Sequence, residues 1–248
     1  MGLVATMGDH KVLAAGSLRP AVTDIIAAYA ARTGIEFEAL LGPSGALRRL
    51  IEQGEGFSLF LSASTRHSDS LLHQGMAASS RPFARNALCL MAAPGIRLGK
   101  TDVIDLMLDP SIRLGTSTPC LDPSGDYTWQ MFRKIDLRRP GAFEALDRKA
   151  LKLTGATIDH GSRGLPYVEV FRRDRADVFV SYCTNAVETA REVPGLTFVR
   201  VPDDFNVVAE YGMAVARDAD AHARALAAYI FGPAGRKLLE SRGFESQE

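Results

Sequence analysis

Apolar residues recur along the chain in two rhythms, short continuous runs and helical stripes. Val12-Leu13-Ala14-Ala15 is a continuous run of strand length. Pro20 follows in the first-turn position that proline favours. Val22, Ile25, Ile26 and Tyr29 then fall at helical spacing until Gly34 ends the stripe. Residues 35–41 alternate as a strand does. Ser44 opens a second stripe through Leu47, Leu50 and Ile51 that stops at Gly54, and Leu59-Phe60-Leu61 is a third strand. Strand, helix, strand, helix, strand at this spacing predicts a parallel sheet with crossover helices.

The pattern restarts after Arg85-Asn86. Residues 87–92 form a buried run, and 112–115 another that leads into Thr116-Ser117-Thr118-Pro119. One helix carries Trp129 and Phe132, and a second is expected to hold Phe143, Leu146, Leu151 and Leu153. Residues 167–172 read as a helix and 178–182 as a strand, after which Thr184-Asn185 opens a short helix. Residues 197–201 and 211–215 are strand-like, and 221–239 is helical with a break at Gly232-Pro233. No fixed-period repeat or low-complexity linker interrupts the chain. The expectation is two α/β lobes joined by ordered segments: 9–86 plus 207–248 in the first lobe and 87–206 in the second, with the closing helix returning to the first.

Three phrases place a hydroxyl and free backbone N–H groups where a strand gives way to a helix: Ala15-Gly16-Ser17-Leu18-Arg19-Pro20, Gly42-Pro43-Ser44-Gly45-Ala46 and Asp122-Pro123-Ser124-Gly125-Asp126-Tyr127. A helix N-terminus carries unpaired donors and the positive end of the dipole, so a serine there caps its own helix or donates to an anion. Capping alone explains most such serines. Their shared place, at the C-terminal edge of strands, is where open α/β sheets bind ligands. Tyr182 ends another strand, although a core tyrosine with a satisfied hydroxyl is the commoner case. Arg163, in Gly161-Ser162-Arg163-Gly164, reads first as a surface arginine.

Composition narrows the field. Of 248 residues 46% are hydrophobic and 23% charged, with Lys+Arg and Asp+Glu both at 29. A balanced charge argues against a nucleic-acid partner, and no apolar run reaches membrane-span length. There is no G-x-S-x-G elbow, Walker loop or dinucleotide glycine fingerprint, and the five histidines lack metal-ligand spacing. An enzyme, a bound metal and a resident cofactor are therefore not expected. Cys89, Cys120 and Cys183 form no C-x-x-C pair. Cys89 reads as a small buried hydrophobe, and a disulfide between two of the three stays open. Residues 1–11 are too short and weakly apolar for a secretory signal, which leaves periplasm and cytoplasm both open.

The stretch VLAAGSLRPAVTDIIAAYAARTGIEFEALLGPSGALRRLIEQG resembles the opening of the periplasmic molybdate-binding proteins of ABC importers. FLSAS, FARNALCLMA, DPSGDYTWQMF, ADVFVSYCTNA and YIFGPAGRKLLESRGF are similar to later phrases of that family, in the same order along nearly the whole chain. The resemblance implies the two-lobed type II periplasmic binding protein fold, each lobe a mostly parallel α/β sheet flanked by helices. It implies a monomer that holds molybdate or tungstate and hands it to membrane subunits of an ABC importer. The family's ligand serines carry over to Ser17 and Ser44, its backbone donor to Ser124 and its tyrosine to Tyr182. A further donor falls near Arg163, where the usual N-V-R is missing. In archaeal tungstate-type relatives an Asp and a Glu complete a six-coordinate metal. Asp122 stands at the place of that Asp, but Ser181 stands where the Glu would be, which favours a plain tetrahedral site.

Such a site has a simple logic. A dianion must shed its water, and inward-aimed neutral donors replace it. A proton on the ligand would then meet no acceptor. The alternatives are a binding protein for another small anion such as sulfate, and a cytoplasmic oxyanion sensor, for which no helix-turn-helix is left over.

Overall fold

The computed structural model describes residues 10–98, 103–156 and 165–246. Elements are numbered in chain order. One sheet comprises β1 (Lys11–Ala15), β2 (Glu38–Gly42), β3 (Leu59–Ser62), β4 (Ala77–Asn86), β10 (Ala209–Ala216) and β11 (Glu245–Ser246), in the order β11-β4-β10-β3-β1-β2. The other comprises β5 (Leu88–Ala92), β6 (Leu114–Ser117), β7 (Leu151–Thr154), β8 (Val178–Tyr182) and β9 (Thr197–Arg200), in the order β7-β6-β8-β5-β9. Helices α1 (Arg19–Thr33), α2 (Ser44–Glu52), α3 (Thr65–His73), α9 (Ala221–Phe231) and α10 (Pro233–Ser241) accompany the first sheet. Helices α4 (Val103–Leu108), α5 (Pro123–Arg138), α6 (Ala142–Lys149), α7 (Pro166–Arg172) and α8 (Cys183–Glu192) accompany the second.

The apolar stripes decide which face each helix covers. Val22, Ile25 and Tyr29 of α1 pack with Val12, Ala14, Leu59 and Leu61 on one face of the first sheet. Leu47 and Ile51 of α2 pack with Leu13 and Phe60 on the other. Alternate residues of β1 and β3 thus point to opposite helix layers, as the period of two requires. Gly34 and Gly141 take positive φ (73° and 88°) at the end of α1 and the start of α6, where a side chain would be strained.

Each sheet is mixed. β1 is parallel to β2 and β3, and β6 to β7 and β8. The antiparallel pairings involve the strands that carry the chain between sheets: β10 against β3 and β4, and β5 against β8 and β9. β4 is not legible in the sequence because Pro82 and five polar residues obscure its alternation. Its register against β10 shifts between Tyr211↔Ala84 and Gly212↔Pro82, a bulge that takes up a residue next to the proline without an N–H. The helix expected to contain Leu151 and Leu153 ends at Lys149, and both leucines lie on β7. Phe143 and Leu146 are spaced as on a helix, whereas Leu151 and Leu153 are spaced as on a strand.

The chain passes between the sheets twice, from Asn86 to Leu88 and from Arg200 to Ala209. The buried Asn206 side chain ties the two passages together. Its Oδ1 accepts from the Leu88 N–H at 3.0 Å, and its Nδ2 donates to the Leu88 and Val201 carbonyls at 3.0 and 2.8 Å. After the second passage α10 packs on α1 and α9, and β11 pairs with β4.

Cys89 and Cys183 form a disulfide, with Cα atoms 4.8 Å apart, while Cys120 is free and exposed. Cys89 is buried, as its apolar run suggested, but it is not a free thiol. The antiparallel register that sets Leu88 opposite Tyr182 and Cys89 opposite Ser181 brings the two cysteines together. The bridge fastens β5 to the first residue of α8, directly after Tyr182. Replacing both cysteines by alanine is expected to lower folding stability by about 2–4 kcal/mol, read as a lower thermal midpoint. A midpoint equal to that of the parent chain would contradict the assignment.

Candidate functional site

A cleft of about 890 Å³ opens between the two sheets. One wall is formed by residues 15–17, 19–20, 41–44 and Ala63, at the C-terminal edge of β1, β2 and β3. The facing wall includes Asp122, residues 152–156, Tyr167 and Tyr182. Parallel strands with crossover helices leave their C-terminal ends and the following turns on this edge, the usual place for a ligand in open sheets.

Ser17 lies in a 3-10 turn (Gly16–Leu18) between β1 and α1. Leu18 is the N-cap of α1, so Ser17 caps nothing; its Oγ lies 2.9 Å from the Tyr211 hydroxyl. Ser44 is the first residue of α2, with Pro43 as N-cap, and its buried Oγ accepts the Ala63 N–H at 3.0 Å. That bond occupies a lone pair and leaves the Ser44 proton for another acceptor. The capping roles read from sequence are thus not realised at either serine.

Asp122 is the N-cap of α5, and its Oδ1 accepts the Ser124 N–H at 3.1 Å. The Ser124 amide, expected as an anion donor, is therefore engaged by a neighbouring carboxylate. Its buried side chain lies beside Ser181, with the two Oγ atoms 3.5 Å apart. Tyr182 ends β8, is 1% exposed and packs its ring between Tyr127 and Tyr211. Its hydroxyl has no hydrogen-bond partner among the described residues. Burial holds that phenol far above its ordinary range, so it stays a neutral donor. Ser17, Ser44 and Tyr182 share the cleft, Ser124 sits behind Asp122, and Arg163 lies outside the described residues.

Tyr211, behind the cleft wall, has no clear signal in the chain, and Asp122 is marked only by its likeness to the Asp of tungstate-type relatives. Tyr211 sits in an alternating strand and reads as a core aromatic. Asp122 precedes a proline and reads as a cap, which it is, but it also lines the cleft. Burial pushes its carboxyl up to about 6, against the N–H of Ser124 and the hydroxyl of Ser117, which favour the charged form. The layers also touch at Gly45, where an added Cβ would come within 2.9 Å of the Leu121 carbonyl oxygen and 3.2 Å of that of Cys120.

Comparison with known proteins places this geometry in a family. Residues 10–245 match the bacterial extracellular solute-binding proteins, and the chain belongs to that family, whose members bind solutes rather than transform them. Uncharacterized protein PM1146 of Pasteurella multocida is 35% identical over 243 residues, covering 94% of this chain and 97% of that protein. Molybdate-binding protein ModA of Mycobacterium tuberculosis is 28% identical over 240 residues, covering 94% of this chain and 83% of that one. The periplasmic molybdate-binding protein of Azotobacter vinelandii superposes with a TM-score of 0.77 at 19% identity, covering 96% of this chain and 99% of that chain. The periplasmic binding protein fold is thereby shown.

Two outcomes follow from the geometry. Gly45→Ala inserts a methyl group between α2 and the 120–121 turn, a strain of about 1–3 kcal/mol; calorimetry is expected to show weaker ligand binding, and undiminished affinity would mean that this contact is not kept in the bound form. Asp122 is charged above about pH 6 and neutral below it, so an anion beside it promotes proton uptake. Affinity for an anion is therefore expected to rise as pH falls toward 6 and to level off below it. Asp122→Asn, which keeps a capping side chain, should bind more tightly at neutral pH and with a flatter profile. A steep profile that persists in the variant would assign the effect to another group.

Proposed function

We propose that this solute-binding protein captures a single tetrahedral oxyanion, molybdate or tungstate, in the periplasm and delivers it to an ABC importer. The observation that carries the reading is the buried Tyr182 hydroxyl, which has no partner among the described residues and lines the same cleft as Ser17 and Ser44. An unsatisfied buried hydroxyl costs free energy, and an anion oxygen is the acceptor that would relieve it. Ser44 adds a proton of its own, because its oxygen already accepts from Ala63. Neutral donors of this kind replace the hydration of a dianion without a formal countercharge. The names of the molybdate-binding relatives support the choice of ion, and the disulfide suits an oxidising compartment. Closure of the two layers over the ion would give the importer a shape to recognise.

Asp122 favours a second reading, in which the ligand is an anion that brings its own proton, such as hydrogen phosphate. Calorimetric titration with molybdate, tungstate, sulfate and phosphate separates the two. One-site binding of molybdate and tungstate, with little response to phosphate, is expected. Ser44→Ala and Tyr182→Phe should each weaken that binding by about 1.5–3 kcal/mol, the size of a hydrogen bond to a charged group. Preference for phosphate would establish the second reading, and silence toward all four ions would overturn both.

A further inference from the structure

The buried hydroxyl of Tyr211 lies beside two polar side chains that belong to different parts of the fold. It is 2.9 Å from Ser17 Oγ on the cleft wall. The Asn86 side chain is a second polar neighbour of that hydroxyl. Asn86 is the last residue of β4, at the first passage between the sheets, and is 3% exposed. Its Oδ1 accepts the N–H of Ala87 at 3.0 Å, and its Nδ2 donates to Thr184 Oγ1 at 2.8 Å, two residues beyond Tyr182.

These bonds give the network a direction. The Ala87 N–H can only donate, so the Asn86 oxygen must face it and the amide group must face Thr184 and Tyr211. An amide group carries two protons. One goes to Thr184, and the other is available to the Tyr211 oxygen. The phenol is fully buried and Ser17 Oγ is the acceptor that lies at hydrogen-bond distance, so its own proton goes there. Ser17 then has one of its two oxygen lone pairs occupied on the protein side and turns its proton toward the cleft.

Resting on the oxyanion reading, we infer that Tyr211 is a positioning residue that polarises Ser17 into a stronger donor and weaker acceptor, through the directed series Asn86 amide, Tyr211 hydroxyl, Ser17 hydroxyl, ligand oxygen. Burial keeps the Tyr211 phenol protonated, as a donor in this series must be. Hydrogen bonds aligned in one direction polarise one another, so the Ser17 proton is a better donor than that of an isolated serine. The same direction makes Ser17 a poor acceptor, so this wall of the cleft discriminates against a ligand proton. Asn86 also donates to Thr184 at the start of α8, so the group that orients Ser17 on one wall is tied to the helix that follows Tyr182 on the other. Ser44 is set in the same sense by a different donor, the Ala63 N–H.

Neutron diffraction from the perdeuterated, ligand-free chain tests the direction without any ligand. The expected result is a deuteron on Tyr211 Oη pointing at Ser17 Oγ and the Ser17 deuteron pointing into the cleft. A Ser17 deuteron directed at Tyr211 Oη would overturn the inference. Titration of Tyr211→Phe tests the consequence. Molybdate affinity should fall about tenfold, within the range of one hydrogen bond, and the preference for sulfate over hydrogen phosphate, dianions that differ by one proton at about pH 8, should shrink. A merely structural role would lower the thermal midpoint and leave that preference unchanged, and this outcome would also overturn the inference. If the parent chain binds none of these ions while the deuterons lie as expected, the oxyanion reading fails and the polarity of Ser17 stands.

Discussion

Leu88 is held at both its backbone N–H and its carbonyl by one buried side chain, that of Asn206. The rest of the molecule depends on that clamp. Two passages of chain leave one sheet and enter the other, and neither has a neighbouring strand to complete its hydrogen bonds over its whole length. Buried backbone groups without partners are costly, so the crossing needs a side chain that offers both an acceptor and donors. Asparagine supplies both. By joining Leu88 to Val201 it fixes where β5 and β9 begin and end, and hence where β8, paired with β5, delivers Tyr182. The disulfide from Cys89 to Cys183 reinforces the same corner covalently. Ligand-facing groups on the second wall are therefore positioned by the crossing rather than by the cleft itself.

The cleft combines donors with one acid. Burial keeps the Tyr182 phenol neutral, and the Ser44 oxygen is occupied by the Ala63 N–H, so its proton remains for a guest. Asp122 works against this, since its charged form repels an anion. Its carboxylate is kept because it caps α5 and receives the Ser124 amide, and burial raises its proton affinity enough to soften the conflict near neutral pH. One residue thus serves helix stability and sets the pH range in which the cleft is most favourable to anions.

The alternation of apolar runs and helical stripes made the two-layered plan legible, including the turns that hold Ser17 and Ser44. It failed where pattern and structure separate. The pairing of Leu151 with Leu153 was absorbed into a preceding helical stripe, although a period of two marks a strand. β4 was hidden by Pro82, which only a bulge accommodates. Asn86, Asn206 and Tyr211 carry no local signal, because their importance lies in partners from 98 to 194 residues away. Serines at strand-to-helix turns drew attention as caps, yet their partners are Tyr211 and the Ala63 amide. The amino-acid type and position were visible, but the direction of each hydroxyl proton was set by residues remote in the chain.

The central claim is that hydroxyl donors from both walls converge on one small anion. A crystal structure of the chain soaked with tungstate, located by its anomalous scattering, tests this most directly. The account predicts a single strong peak within hydrogen-bonding distance of Ser17, Ser44 and Tyr182. A peak seated instead among Arg172, Arg173 and Arg175, at the outer part of the same cleft, would show that exposed charge holds the anion and would contradict it.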